Sequence, residues 1–95
     1  MSQYVMLMNF TDEGRQRIKE NPARIKDANK DIEAMGVKIL AQFALLGQYD
    51  FMFVLDAPSN ETMAKLALEM ASRGTLSNTQ TMLALKLDDY VKSLK

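Results

Sequence analysis

Residues 37–57 read VKILAQFALLGQYDFMFVLDA, two apolar runs on either side of Gly47-Gln48. In the first run one parity (Val37, Ile39, Ala41, Phe43, Leu45) is wholly apolar, and the other (Lys38, Leu40, Gln42, Ala44, Leu46) is mixed. In the second run Tyr49, Phe51, Phe53 and Leu55 share one parity, and Asp50, Met52, Val54 and Asp56 share the other. Side chains alternate faces along a strand, so each run reads as a strand with at least one buried face. A glycine followed by a polar residue between them predicts a tight turn. The stretch is therefore a β-hairpin, with strands over 37–46 and 49–57.

Upstream of the hairpin, residues 3–10, QYVMLMNF, are apolar on both parities, which predicts a strand covered on both faces. Thr11-Asp12-Glu13 then supplies a helix N-cap and acids for the first turn. A helical stripe continues at Ile18, Ile25, Ala28, Ile32 and Met35. Pro22 lies inside it and cannot donate to the Ile18 carbonyl, so a break is expected at residues 20–22, with Asn21 as the cap of the helix that resumes after it. Gly36 ends the helix. Beyond the hairpin, Ser59 caps a second helix with Met63, Leu66, Ala67, Met70 and Ala71 on its apolar face, and Arg73-Gly74 stops it. Residues 75–87, TLSNTQTMLALKL, predict a fourth strand, and Asp88 is read as the cap of a short C-terminal helix.

The order βαββαβ places two crossovers around a hairpin. Right-handed crossovers then give a ferredoxin-like α+β domain: a four-stranded antiparallel sheet, order 4-1-3-2, with both helices on one side. All of residues 1–95 are expected to form that single domain, with the short helix as a tail. The helices cover one face only, yet the first and third strands are apolar on both, and the second would be a long apolar edge. A homodimer packed face to face resolves this, and pairing through the edges would close a dimeric α/β barrel.

Composition narrows the chemistry. The chain has neither cysteine nor histidine, which excludes disulfides, thiolate nucleophiles, zinc–sulfur sites and a histidine-ligated haem. No metal and no cofactor is expected. Twelve basic residues face twelve acidic ones. Between positions 12 and 33 the bases Arg15, Arg17, Lys19, Arg24, Lys26 and Lys30 are cancelled by acids, including the i,i+4 pair Glu20–Arg24. Phosphate binding needs an excess of positive charge, so no nucleic-acid partner is expected. No apolar run approaches the ~20 residues that span a bilayer. With no basic, apolar leader at Met1-Ser2-Gln3-Tyr4, a cytoplasmic protein is expected.

The segment GQYDF at 47–51, the opening YVMLMNFTDEG, the mid-helix ENPAR and the second half from Gly47 onward resemble the GYD family over nearly the whole chain. Gly47, Tyr49 and Asp50 fit its glycine, tyrosine, aspartate motif. The resemblance implies a ferredoxin-like, dimeric α/β barrel and no established activity. The hairpin is also similar to that of the ligand-binding domain of leucine-responsive/AsnC-type regulators, which bind amino acids at subunit interfaces.

The candidate site residues lie in these same segments. Asp50 and Tyr49 are the candidate acid/base and hydrogen-bonding groups, although an aspartate serves as a base near neutral pH only where burial raises its pKa. Gly47 joins them as a candidate ligand-binding position. The row Thr75, Ser77, Thr79 and Thr81 would line a polar cavity with Asn78 or Gln80 opposite, and Thr79, Gln80 and Thr81 are its candidate ligand contacts. The structural alternative is a Gly47 turn, a Tyr49 that packs on the sheet, an Asp50 held by backbone N–H groups of the 46–48 turn, and threonines that simply suit a strand. Three functions are compatible with the pattern. The first is a homodimeric module that binds a small, partly apolar molecule or serves as an accessory protein. The others are a cofactor-independent oxygenase or isomerase acting on a small aromatic or carbonyl compound, and a purely structural assembly unit.

Overall fold

The hairpin and its flanking segments assemble, in a computed structural model describing residues 1–95, into one antiparallel sheet of four strands in the order β2-β3-β1-β4. The strands are β1 (Ser2–Phe10), β2 (Lys38–Ala44), β3 (Phe51–Ala57) and β4 (Leu76–Ala84). The helices are α1 (Asp12–Glu20), α2 (Asp27–Ala34), α3 (Asn60–Ala71) and α4 (Leu87–Ser93), with a 3₁₀ turn over Pro22–Lys26 between α1 and α2. This is the expected ferredoxin-like topology.

The register fixes which side chains share a face. Tyr4 lies opposite Leu55, Met6 opposite Phe53 and Met8 opposite Phe51. Their side chains form the core with Ile32 of α2 and Met63, Leu66 and Met70 of α3. Val5 opposite Val54, and Leu7 opposite Met52, stand on the other face, which no helix covers.

The helix boundaries are local chemistry. Thr11 Oγ1 accepts the Gly14 N–H at 3.0 Å, and Ser59 Oγ accepts the Thr62 N–H at 3.1 Å, each satisfying one orphan donor of a first turn. The break falls where proline dictates: the last α1 bond runs from the Asn21 N–H to the Arg17 carbonyl at 3.0 Å, and Pro22 opens the 3₁₀ turn. Asn21 makes no side-chain cap, contrary to expectation; its carbonyl accepts the Arg24 N–H instead. The Glu20–Arg24 pair is not formed either. The 3₁₀ turn between them destroys the α-helical spacing that i,i+4 pairs require. Gly36 and Gly74 end α2 and α3 with φ of 81° and 77°.

Three further expectations are corrected. Strand β2 does not keep one parity, because Leu40 is an extra residue between the Ile39–Leu55 and Ala41–Val54 pairs. Val37 and Ile39 therefore serve the covered face, while Ala41 and Phe43 serve the open one. A second irregularity in β4 sets Ser77 out of register, so Thr79 and Thr81 fall on the covered side, and Asn78, Gln80 and Met82 on the open side. Residues 45–50 form a longer connection than a tight turn, closed by the Leu45 N–H on the Asp50 carbonyl at 2.9 Å. At the far end Lys86 precedes α4, and Asp88 lies with Asp89 in its first turn instead of capping it.

Candidate functional site

Two places bring polar and apolar groups together with possible function: the end of the sheet around residues 47–50, and a cavity between the helices and the covered face.

At the sheet end, β1, the 45–50 connection and α1 meet. Asp50 is held in the ladder by its N–H, which donates to the Met8 carbonyl at 2.9 Å. One carboxylate oxygen, Oδ2, accepts both the Phe10 N–H at 2.9 Å and the Arg15 guanidinium at 3.2 Å. The partner strand and a helix supply these donors, not the 46–48 turn expected from the sequence. The reason is register: Asp50 stands one step before Phe51, alongside the last residues of β1. Gly47, at φ 130°, lets the chain reverse, and Asn9 Nδ2 donates to the Gln48 carbonyl at 2.7 Å. Tyr49 leaves the face of Phe51, and its hydroxyl donates to Gln80 Oε1 of β4 at 2.7 Å. Parity failed for Tyr49 because it precedes the strand. Of the candidate ligand contacts, Gly47, Tyr49, Asp50 and Gln80 are thus brought together, whereas Thr79 and Thr81 point to the opposite side of the sheet.

The cavity was not foreseen. It encloses about 240 Å³. Its floor is Met8, Phe10, Phe51 and Leu76, with the two aromatic rings edge to face at 4.9 Å. Ile18, Ile25 and Ala28 form its helical wall. Arg17, Arg24, Asp27 and Arg73 stand around it. Arg17 pairs with Glu13, and Arg73 pairs with Asp31 at 2.9 Å and Glu69 at 3.3 Å. Partial burial works to lower the Arg73 pKa, but the hydrogen bonds and charges of Asp31 and Glu69 overcome it and raise the value above that of a free guanidinium. The stripe Ile18–Ile25–Ala28 carried the sequence signal for this place. It reads equally well as core packing, and only the break at Pro22 opens the space.

The first strand, the mid-helix break and the Gly47–Asp50 connection occur together in one known family, whose model, the GYD domain, matches residues 4–94. The chain belongs to the GYD-domain family. A GYD relative from Thermus thermophilus is 38% identical over 96 residues, a match covering 100% of both chains, and is named glutamine synthetase and cystathionine beta-lyase binding protein. Among solved structures, this GYD chain is similar to 5-chloro-2-hydroxyhydroquinone dehydrochlorinase from Burkholderia phenoliruptrix AC1100. There the TM-score is 0.62 and the identity 14%, covering 88% of this chain and 93% of that one. It is also similar to an AsnC family transcriptional regulator from Agrobacterium tumefaciens, with a TM-score of 0.55 and 9% identity, covering 88% of this chain and 50% of that one. An enzyme and a regulator on one fold at such low identity show the fold alone.

Proposed function

We infer that this GYD protein is a homodimeric accessory module that acts by binding partner proteins without turnover of its own. The observation that carries the reading is the uncovered sheet face. Val5, Leu7, Met52 and Val54 run across its two central strands, and Phe43 and Met82 extend it to the edges at 49% and 40% exposure. A contiguous apolar patch of this kind marks an interface. Asp56 adds to it. It stands on the same face between Gln3 and Lys38, and its Oδ1 is buried without a hydrogen-bond partner, a group that a second copy's donor would satisfy.

The tail supports the same reading. Leu87, Tyr90, Val91 and Leu94 of α4 and its end are all exposed, at 72% and 67% for the two leucines. The radius of gyration, 14.3 Å, exceeds the ~12.4 Å of a compact chain of this length. The binding function named for the Thermus thermophilus relative makes glutamine synthetase and cystathionine beta-lyase the first partners to try. The oxygenase or isomerase alternative has less support, because Asp50, its proposed base, is already engaged by Phe10 and Arg15.

The test is light scattering on eluting protein, alone and mixed with each purified enzyme. Twice the chain mass alone, and co-elution with one enzyme, is the expected result. A monomer that co-elutes with neither enzyme would overturn the proposal.

A further inference from the structure

The cavity on the helical side has a composition that neither dimerisation nor partner docking uses. Its floor and wall are apolar, and the space, about 240 Å³, lies just under the ~300–1,000 Å³ typical of sites for drug-sized ligands. An occupant is therefore small. Charge is concentrated at its edge. Arg17 is neutralised by Glu13, and Arg73 by Asp31 and Glu69. That leaves Arg24 and Asp27, which take part in none of the molecule's ion pairs. Both belong to the segment that Pro22 displaces from the helix line: Arg24 lies in the 3₁₀ turn and Asp27 opens α2. The same break that opens the cavity thus leaves a free guanidinium beside it.

The geometry points to a binding site for a small monocarboxylate with an aromatic or branched apolar tail. The tail lies on Phe10, Phe51 and Leu76, and the carboxylate meets Arg24, whose planar fork matches it in two hydrogen bonds. Asp27 repels a second negative charge, so dicarboxylates and phosphates are disfavoured. An uncharged ligand would occupy the floor but leave the guanidinium without a counter-ion. The site lies on the side of the sheet opposite the apolar face that supports the homodimer, so either can fail without the other.

The probe is 3-phenylpropanoate, added to isotope-labelled full-length protein and followed by amide chemical shifts. Saturable shifts at Gly14, Ile25, Ala28 and Leu76 are expected. The neutral 3-phenylpropanamide and the dianionic benzylmalonate should bind about tenfold more weakly, as loss or opposition of one charged pair predicts. Arg24→Gln should weaken 3-phenylpropanoate by about the same factor and abolish its advantage over the amide. Ala28→Phe, which fills the space and removes no charge, should block both, with an unchanged melting profile showing that the fold survives. Shifts confined to Val5, Leu7 and Met82, no saturation at millimolar concentration, or unaltered affinity in Arg24→Gln would each overturn the site. None of these results bears on the oligomeric mass, which is measured separately.

Discussion

The two faces of the sheet are built from the same kinds of residue and end in opposite states. On the covered face Tyr4, Met6, Met8, Phe53 and Leu55 are buried, at 7% exposure or less. On the other, Val5, Leu7, Met52 and Val54 are only half-buried within the chain, and Phe43 and Met82 are exposed. Hydrophobicity does not distinguish them. Coverage does: α2 and α3 supply Ile32, Met63, Leu66 and Met70 to one side, and nothing in the chain serves the other. A face completed within the chain yields stability independent of concentration, whereas a face completed from outside yields stability that depends on mass action.

The contrast is clearest at neighbouring residues of one strand. Met6→Ala removes a side chain with no exposure and should cost about 2–5 kcal/mol at any protein concentration, measured by denaturant unfolding. Leu7→Lys, one residue along, should leave the protomer folded and reduce the solution mass to that of one chain, measured by sedimentation equilibrium. If both substitutions act alike, the distinction between the faces is broken.

Gly14→Ala tests how tightly the covered side is closed. A Cβ there would stand 2.4 Å from the Thr75 carbonyl oxygen, a backbone atom that cannot yield alone. The cost should be roughly 1–3 kcal/mol, seen as a lower denaturant midpoint, with the oligomeric mass retained.

Asp50→Asn probes the seam where the sheet end meets α1. It weakens the bonds to the Phe10 N–H and Arg15 and should cost about 1–3 kcal/mol. Thermal melts between pH 4 and 8 would measure it. A variant as stable as wild type throughout would transfer Asp50 from architecture to chemistry. Tyr49→Phe should have the smallest effect, about 0–1 kcal/mol, because its bond to Gln80 is exposed. Any larger loss, read in the same melts, would show that the hydroxyl matters to whatever covers that face.

Much of this architecture was legible in the residues. Thr11 and Ser59 announced helix starts through side chains that accept a first-turn N–H, and Pro22 announced a break through the N–H it lacks. The strand order came from element order and crossover handedness. Site geometry was less legible. Asp50 and Tyr49 were rightly singled out, but their partners, Phe10, Arg15 and Gln80, are 31 to 40 positions away in sequence. No local pattern encodes such distances.

What the sequence determined alone is whatever depends on neighbours within one turn or one pleat: caps, the break, apolar alternation and the absence of thiol and imidazole chemistry. Tertiary structure decided everything that depends on register. One extra residue at Leu40 sent Ala41 and Phe43 to the open face, and another at Ser77 put Leu76 on the same covered side as Thr79 and Thr81. Side chains alternate with a period of two, so a single inserted residue reverses every assignment beyond it. The insertion is fixed by pairing with a strand distant in sequence, so only the assembled sheet could reveal it.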